Sequence, residues 1–213
     1  MRVEDSYMKR AFDLLVIFVT APVWLSVVGI VAALVRWKIG SPVLFKQKRP
    51  GQNACIFELL KFRTMLDTRG ADGKPLSDYE RLTPVGRILR ATSVDELPEL
   101  INVLRGEMSL VGPRPLLTQY LDRYSPRQAR RHEVPPGITG LAQVKGRNSL
   151  SWPEKFEWDV KYVENHSIWL DIKILCMTVG TVLSRRGINA NGDATMPEFV
   201  PNQGSGSSCE NRN

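Results

Sequence analysis

The feature that most constrains this chain is a continuous apolar run over residues 11–35, in which Asp13 is the only charged residue. As an α-helix, about 25 residues extend roughly 38 Å, which exceeds the ~30 Å hydrocarbon core of a bilayer. The run is too long for the apolar part of a signal peptide, and no Ala-x-Ala-like cleavage site closes it. The sequence therefore predicts a membrane helix, with Asp13 at headgroup depth beside Lys9 and Arg10.

Two arrangements of this helix remain open on physical grounds. Pro22 lies at the middle of the run, where it removes an amide donor and disturbs the preceding turn. Lys9 and Arg10 precede the run, and Arg36 and Lys38 follow it. Because positive charge favours the cytoplasmic side, a helix bent at the proline would keep both ends inside, each half reaching only part-way across. A kinked helix that spans the bilayer is equally open, since membrane helices tolerate proline.

The remainder of the chain predicts a small α+β domain. Turn residues, capping residues and apolar periodicity divide it into short elements. The first half of the domain is predicted to contain a β-hairpin over 43–48 and 54–60, an exposed loop over 67–79 and a short helix from Thr83 to Arg90. A further helix is predicted over 94–105, with Ser93 as N-cap, Glu96 completing a capping box and Gly106 ending it. The second half is predicted to contain a helix over 116–131, a strand over 141–144, and helices over 153–165 and 168–186. The last helix suits either the core or the membrane interface, with Trp169 at headgroup depth.

The charge of the chain favours anionic partners. The formal net charge is +7, which suits phosphates, nucleotides or acidic lipid headgroups. On charge alone, nucleic acid is also possible, and Arg127, Arg130 and Arg131 could form such a patch. In a membrane protein, however, a basic face turned towards acidic lipid is the better interpretation of these arginines. We therefore predict no nucleic-acid partner.

Other motifs exclude several classes of site. Cys55, Cys176 and Cys209 lie far apart, which argues against zinc and disulfides and fits a reducing compartment. His132 and His166 each stand alone, as structural or surface histidines do. The chain has no Walker-type phosphate loop. It also has no Asp-x-Asp, the motif with which common nucleotide-sugar glycosyltransferases hold their metal.

The residues best suited to chemistry are Asp95 and Glu96, with Arg114 in the segment Gly112-Pro113-Arg114-Pro115. Neighbouring residues on a helix point about 100° apart, so two adjacent acids would serve two different steps. They could instead complement the helix dipole, as acids in a first turn often do. A guanidinium fixed between two prolines can hold a phosphate through two parallel hydrogen bonds, although a surface ion pair is the alternative.

With these motifs in place, the chain resembles the bacterial sugar transferases, a family of monotopic polyprenyl-phosphate phosphoglycosyl transferases. The resemblance runs from about Lys9 to about Phe199. It is greatest to the small, single-domain members, among them the one that starts protein N-glycosylation in Campylobacter. The matching segments are the apolar run with Pro22, Gln47-Lys48-Arg49-Pro50-Gly51, Lys61-Phe62-Arg63-Thr64-Met65, Asp95-Glu96-Leu97-Pro98, Asn102-Val103-Leu104, Met108-Ser109-Leu110-Val111-Gly112-Pro113-Arg114-Pro115, Pro136-Gly137-Ile138-Thr139-Gly140 and Gly146-Arg147-Asn148.

The resemblance implies transfer of a sugar 1-phosphate from a UDP-sugar to undecaprenyl phosphate, with release of UMP. It implies that Asp95 attacks the phosphate that bears the sugar, and that Glu96 assists the second attack, by the lipid phosphate on the covalent intermediate. Mg²⁺ is expected, with Asp95 as a ligand. Phosphate groups would be held by Arg114, Arg90 and Lys61, and the nucleotide or sugar pocket would be shaped by Arg147 and Asn148.

The resemblance also implies an architecture. Residues 1–38 would form a re-entrant helix-break-helix that enters only the inner leaflet of the bacterial cytoplasmic membrane. Residues 39–187 would form a cytosolic catalytic domain with interfacial helices, followed by a tail over 188–213. The family usually has serine before the break proline, whereas this chain has Ala21, so a hydroxyl that could bond the freed backbone is missing.

Three functions stay in competition at this point. The first is the phosphoglycosyl transferase, for which the resemblance continues to Gly192-Asp193-Ala194-Thr195 and implies an N-acetylated amino or diamino sugar such as diacetylbacillosamine. The second is a membrane-tethered basic module that binds without turnover. The third is a glycosyltransferase that releases UDP, which analysis of the nucleotide product separates from the first.

Overall fold

The structure is a computed structural model that describes residues 3–146, 149–184 and 198–200. It is a mixture of helices and two small sheets, which confirms the predicted α+β class. Within the described residues the elements are α1 (Val3–Lys38), β1 (Leu44–Pro50), β2 (Ile56–Phe62), α2 (Asp78–Arg81), α3 (Pro84–Ala91), α4 (Glu99–Arg105), β3 (Ser109–Val111), α5 (Pro126–Ala129), β4 (Gly137–Thr139), α6 (Leu141–Lys145), α7 (Trp152–Asn165) and α8 (Ile168–Ser184).

Helix α1 continues through Pro22, whereas the resemblance implies a break between two helices at this proline. The proline still removes one donor, which leaves the carbonyl of Phe18 without its helical partner. Polar side chains nearby bond to backbone carbonyls: the Trp24 indole donates to Ile17 O at 3.0 Å, and the Ser26 hydroxyl donates to Pro22 O at 2.8 Å. Although Ala21 cannot supply the hydroxyl of the serine usual in the family, side chains of this region still bond to backbone carbonyls.

Both halves of α1 pack against the same domain. Before Pro22, Ile17 is buried in a core that also contains Val111 and Ile174. After Pro22, Val35 is buried in a second core, which contains Phe62. Contacts on both sides of the proline show that α1 packs along the domain instead of leading away from it.

A buried ion network joins the start of α1 to α8. Lys9 Nζ lies 3.2 Å from Asp13 Oδ1 and 2.7 Å from Asp171 Oδ2, and both acids are almost fully buried. Tyr162 also donates to Asp171 at 2.7 Å. Asp13 lies beside Lys9, as expected, and is buried in the protein, where Leu110 N also donates to its Oδ1 at 3.4 Å, so the carboxylate has the partners that burial requires. Its depth at the headgroups stays a prediction.

We expect Lys9→Met to destabilise the protein by about 3–5 kcal/mol, because the variant leaves two buried carboxylates without their cation. Thermal unfolding in detergent, with Lys38→Met as an exposed control on the same helix, measures the difference. Equal melting temperatures for the two variants would contradict a structural role for this network.

The outer face of α1 is apolar and exposed. Its exposed large side chains from Leu15 onward are Leu15, Phe18, Val19, Val23, Leu25, Ile30 and Trp37. The segment Ser6–Lys38 is, by length and composition, able to cross a membrane, and little of its most apolar part is buried in the protein. Helix α8 has a similar division, with Ile174 fully buried and Trp169 82% exposed. The two helices thus present apolar surface that the domain itself does not cover.

Two small sheets organise the rest of the domain. β1 and β2 form the predicted antiparallel hairpin, with Pro50 opposite Ile56 at the turn. β3 and β4 pair in parallel, with Ser109 opposite Gly137 and Val111 opposite Thr139. The prediction of a strand over 141–144 was wrong: these residues begin α6, and the strand lies just before them. The predicted helix over 116–131 is a series of short 3₁₀ and α segments around Ser125 and Pro126.

Candidate active site

The two adjacent acids lie in a short 3₁₀ turn over Val94–Glu96, between α3 and α4. The helix predicted over 94–105 is confirmed over Glu99–Arg105, but its predicted start, with Ser93 as N-cap and Glu96 in a capping box, was wrong. Ser93 instead has a left-handed backbone, with φ of 57°. Pro98 forces the regular helix to begin only afterwards, because proline restricts the residue before it and lacks an amide donor. The kink turns Asp95 and Glu96 towards the loop that follows β3.

That loop carries Arg114 and is fixed by close contact with β4. Gly112 N donates to Thr139 O at 2.9 Å, and Gly137 N donates to Pro113 O at 3.0 Å. A side chain on Gly112 would overlap the backbone before β4, so glycine is required there for the two segments to approach. The segment between Pro113 and Pro115 therefore holds Arg114 on a rigid support.

Glu96 is clamped by two cations. Arg114 donates to the Glu96 carboxylate through both terminal nitrogens, Nη1 at 3.3 Å and Nη2 in a close contact, and Lys61 Nζ donates to Glu96 Oε1 at 2.7 Å. Burial raises the pKa of Glu96, but Arg114 and Lys61 lower it by more, so the pKa lies well below its ordinary value. Glu96 is therefore held as a carboxylate that orders two cations.

Asp95 has the opposite environment. Its side chain is buried, with 8% exposure, and none of the described residues donates a hydrogen bond to its carboxyl group. Burial and the neighbouring Glu96 raise the pKa of Asp95 to about 6, against the opposing charges of Lys61, Arg114 and Arg90. Of the two acids, Asp95 is thus the one whose oxygens are open to react with an added group.

Arg90 completes the cationic side of the site. It lies in the last turn of α3, and its Nε donates to Thr64 Oγ1 at 3.1 Å. Helix α3 begins as predicted at Pro84, where the hydroxyl of Thr83 accepts a hydrogen bond from Gly86 N at 2.9 Å. The structure therefore brings together five of the predicted residues, which are Lys61, Arg90, Asp95, Glu96 and Arg114.

Glu99 is an acid of this site that the sequence reasoning missed. It is 1% exposed, and its Oε1 lies 3.2 Å from Lys61 Nζ, so Lys61 is shared between Glu99 and Glu96. Burial and Glu96 raise the pKa of Glu99 to about 7. Helical spacing could have revealed it, because Glu99 falls on the same face of α4 as the buried Asn102 and Val103.

The predicted patch of three arginines is divided by the fold. Arg127 pairs with Glu157 at 3.0 Å, and Arg130 pairs with Glu164 at 2.6 Å, both at the surface. Arg131 instead turns inward and donates to the backbone carbonyl of Arg114. These arginines do not form one open basic face, because acids of α7 neutralise the two that remain outside.

His132 is structural, as predicted. Its Nδ1 lies 3.1 Å from Gly51 O. Burial and the nearby Arg131 lower the pKa of His132 from 6.5 to about 4. His166 similarly lies 2.8 Å from Val163 O through Nδ1.

This shift makes a prediction for stability against pH. The unfolded chain binds a proton at His132 below pH 6.5, whereas the folded protein does so only below about 4. The contribution of His132 is therefore complete above pH 6.5 and is lost progressively as the pH falls towards 4. The advantage in melting temperature of the wild type over His132→Asn should therefore shrink as the pH falls from 6.5 to 4. A difference between the two proteins that does not change with pH would contradict the assignment.

Arg147 and Asn148, predicted to shape the nucleotide or sugar pocket, lie outside the described residues. Within the described part of the chain, no group of three or more His, Cys, Asp and Glu side chains could hold a metal ion. A magnesium site that uses one carboxylate and completes its shell with substrate phosphates and water still fits, because Asp95 offers an uncommitted carboxyl group.

Comparison with known proteins gives consistent matches. The sequence profile of the family described as bacterial sugar transferase matches residues 4–185. An uncharacterized sugar transferase of Bacillus subtilis, EpsL, is 53% identical over 198 residues, which are 91% of this chain and 96% of that protein. The UDP-glucose:undecaprenyl-phosphate glucose-1-phosphate transferase of Caulobacter vibrioides is 39% identical over 195 residues, 86% of this chain and 72% of that protein. The UDP-N-acetylgalactosamine-undecaprenyl-phosphate N-acetylgalactosaminephosphotransferase of Aeromonas hydrophila is 34% identical over 190 residues, 85% of this chain and 45% of that protein.

Proposed function

The chain belongs to the bacterial sugar transferase family, and from this premise we propose that it transfers a sugar 1-phosphate from a UDP-sugar to undecaprenyl phosphate and releases UMP. The observation that supports the proposal is that the two adjacent acids have different partners. Glu96 is committed to Arg114 and Lys61, whereas Asp95 is buried beside them with no hydrogen-bond donor among the described residues. A nucleophile surrounded by phosphate-binding cations suits attack on phosphorus.

The reaction would proceed in two displacements. An Asp95 oxygen attacks the phosphorus that bears the sugar, and the bond from that phosphorus to the bridging oxygen breaks. UMP leaves with this oxygen and its electron pair, and the sugar phosphate is now bonded to Asp95. A phosphate oxygen of undecaprenyl phosphate then attacks the same phosphorus, and the bond to Asp95 breaks. The carboxylate is regenerated and the lipid-linked diphosphate sugar is released.

Glu96 was expected to assist the second attack, a role that a general base could fill. Its pairing with Arg114 and Lys61 favours a different contribution, since a carboxylate with a strongly lowered pKa is a weak base. We propose that Glu96 aligns these two cations with the phosphate oxygens. The lipid phosphate needs no strong base, because it is already largely ionised near neutral pH.

Mg²⁺ is part of the proposal as a cofactor that Asp95 would hold together with substrate phosphate oxygens. Bound there, it would supply charge that offsets the build-up on phosphorus-bound oxygens during transfer. Removal of divalent ions with a chelator should abolish UMP release, and addition of Mg²⁺ should restore it. Asp95→Asn should also weaken the binding of Mn²⁺. The relaxation of water protons measures this binding and does not depend on turnover.

We also propose that the protein enters only the inner leaflet of the cytoplasmic membrane. The support is that α1 packs against the domain on both sides of Pro22, which a helix leading away across a bilayer could not do. Its exposed apolar face and that of α8 would then lie in the lipid, at the depth where the undecaprenyl phosphate headgroup meets a soluble UDP-sugar.

Cysteine labelling tests this topology. Single cysteines at Ser6 and Lys38, in a chain with Cys55, Cys176 and Cys209 replaced, should both react with an impermeant maleimide in inside-out vesicles. Neither should react in right-side-out vesicles. Opposite accessibility of the two positions would indicate a spanning helix and overturn this arrangement.

The sugar is proposed as an N-acetylated amino or diamino sugar, such as diacetylbacillosamine. Of the relatives described above, one is named for UDP-glucose and another for UDP-N-acetylgalactosamine, so members of the family differ in their sugar. Purified protein with undecaprenyl phosphate should be offered a panel of UDP-sugars while UMP and UDP are both quantified. Release of UMP with one sugar supports the proposal. Release of UDP would indicate a glycosyltransferase, and binding without either product would indicate a tethered binding module.

A further inference from the structure

The C-terminal residues Glu198 and Phe199 are docked on the catalytic domain. The backbone N–H of Phe199 donates to the Tyr120 hydroxyl at 3.2 Å, and Arg123 Nη1 donates to Phe199 O at 2.6 Å. Glu198 Oε1 accepts hydrogen bonds from Gln119 at 2.6 Å and from Arg123 at 2.8 Å. Both the side chain of Glu198 and the backbone of Phe199 are thus bound to the domain, within the region that the sequence analysis assigns to a tail over 188–213.

The side chain of Phe199 fills the centre of an aromatic cluster. It is only 4% exposed. Four rings surround it at centroid distances typical of favourable aromatic pairs. They belong to Phe156 at 4.9 Å, Tyr120 at 5.6 Å, Trp152 at 5.6 Å and Tyr124 at 6.1 Å.

Two of these rings also hold Arg131. The Arg131 guanidinium carbon lies 5.7 Å from the centre of the Tyr124 ring and 5.6 Å from that of Phe156. Asp159 pairs with it at 2.8 Å, and its Nη1 donates to the Tyr124 hydroxyl at 3.0 Å. The Nη2 end of the Arg131 guanidinium faces the loop that carries Arg114.

Arg131 links this cluster to the phosphate-binding loop. Its Nη2 donates to the backbone carbonyl of Arg114 at 2.7 Å, and Arg114 in turn holds Glu96. A continuous series of packed rings and hydrogen bonds therefore leads from Phe199 through Arg131 to Arg114. Because the arginine is buried, its position depends on the rings that enclose it.

We propose that Phe199 is a positioning residue for Arg114, and that the Glu198–Phe199 segment braces the active site from behind. The inference rests on the proposed function in that it assigns Arg114 to a substrate phosphate. Removal of the Phe199 ring lets Tyr124 and Phe156 relax into the vacated space, which shifts Arg131 and loosens the carbonyl of Arg114. A small displacement of a phosphate-binding group is enough to reduce catalysis strongly.

Phe199→Ala should lower kcat/KM for the UDP-sugar by about 10- to 100-fold under conditions where the variant is folded. Phe199→Leu keeps most of the volume and should recover the larger part of that loss. Arg123→Met releases the backbone of the segment without removing a ring, so it tests the same proposal if Phe199→Ala does not fold. Val35→Ala, which creates a cavity in the core that contains Phe62, is the control for a loss of stability away from the aromatic cluster.

Hydrogen exchange provides a readout that does not depend on turnover. In Phe199→Ala, amide exchange over residues 111–117 should become faster, whereas Val35→Ala should leave it unchanged. Unchanged kcat/KM and unchanged exchange at this loop in both Phe199→Ala and Arg123→Met would overturn the proposal and leave the segment a stabilising contact only. If the wild type turns over no UDP-sugar, the proposed function fails, while the exchange result still decides whether Phe199 and Arg114 are coupled.

Discussion

Asp95→Asn is expected to lower kcat for sugar-phosphate transfer by about 10³-fold or more, because the amide oxygen is a poor nucleophile towards phosphorus. The shape of the side chain is kept, so the turn over Val94–Glu96 and the clamp on Glu96 should persist. The measurement is UMP release with undecaprenyl phosphate in detergent or nanodiscs. Binding of UDP-sugar, followed by calorimetry, should change far less than turnover.

Asp122→Asn is the matched control, since Asp122 is an exposed acid outside the site. It should retain wild-type activity. Substantial residual transfer by Asp95→Asn, clearly above the level of contaminating enzyme, would contradict a nucleophilic role. Equal losses of binding and turnover would instead indicate that Asp95 contributes to binding of the UDP-sugar and not specifically to the chemical step.

Arg114→Met is expected to reduce kcat/KM by about 10²- to 10³-fold, because it removes a cation from the phosphate and leaves the partly buried Glu96, among the described residues, with Lys61 as its remaining cation. Arg114→Lys keeps the charge but cannot form two parallel hydrogen bonds with one carboxylate or phosphate, so its activity should be intermediate. Steady-state kinetics over a range of UDP-sugar concentrations measures both variants.

Arg105→Met is the appropriate comparison, because Arg105 is an exposed arginine at the end of α4. It should behave as the wild type. An Arg114→Lys variant with full activity would show that only the charge matters, which would contradict the role that we assign to the fixed guanidinium between Pro113 and Pro115.

Features with a local cause were predictable from the sequence. The hairpin of β1 and β2 follows from Pro50 and Gly51 between two apolar segments, and Gly106 ends α4 with φ of 82°. Helices α7 and α8 follow from capping residues and apolar periodicity. In each case the information lies within a few residues of the element.

Features with a distant cause were not predictable in this way. The short run Leu141–Val144 is apolar enough for either a strand or a buried helix, and only the pairing of β4 with β3 decides which segment is the strand. The position of Asp13 likewise depends on Asp171, which lies far along the chain but close to Lys9 in space. Burial of an acid cannot be read from the sequence around it.

The site shows the same division. The motifs identified Asp95, Glu96 and Arg114, but not which acid is paired and which is open, because that depends on how the loop after β3 meets the turn before α4. Arg131 could not be distinguished from Arg130 by composition. It turns inward because Asp159 and two aromatic rings are placed there by α7 and by the preceding segment.

The most direct test of the account is the intact mass of the purified protein after incubation with a UDP-sugar that it turns over, in the absence of any lipid acceptor. We expect a stoichiometric release of UMP and a mass increase equal to one sugar phosphate, located on Asp95 by peptide fragmentation and absent from Asp95→Asn. Later addition of undecaprenyl phosphate should discharge the adduct. UMP release that requires the lipid from the outset, with no adduct at any time, would contradict the covalent route and indicate a single direct displacement.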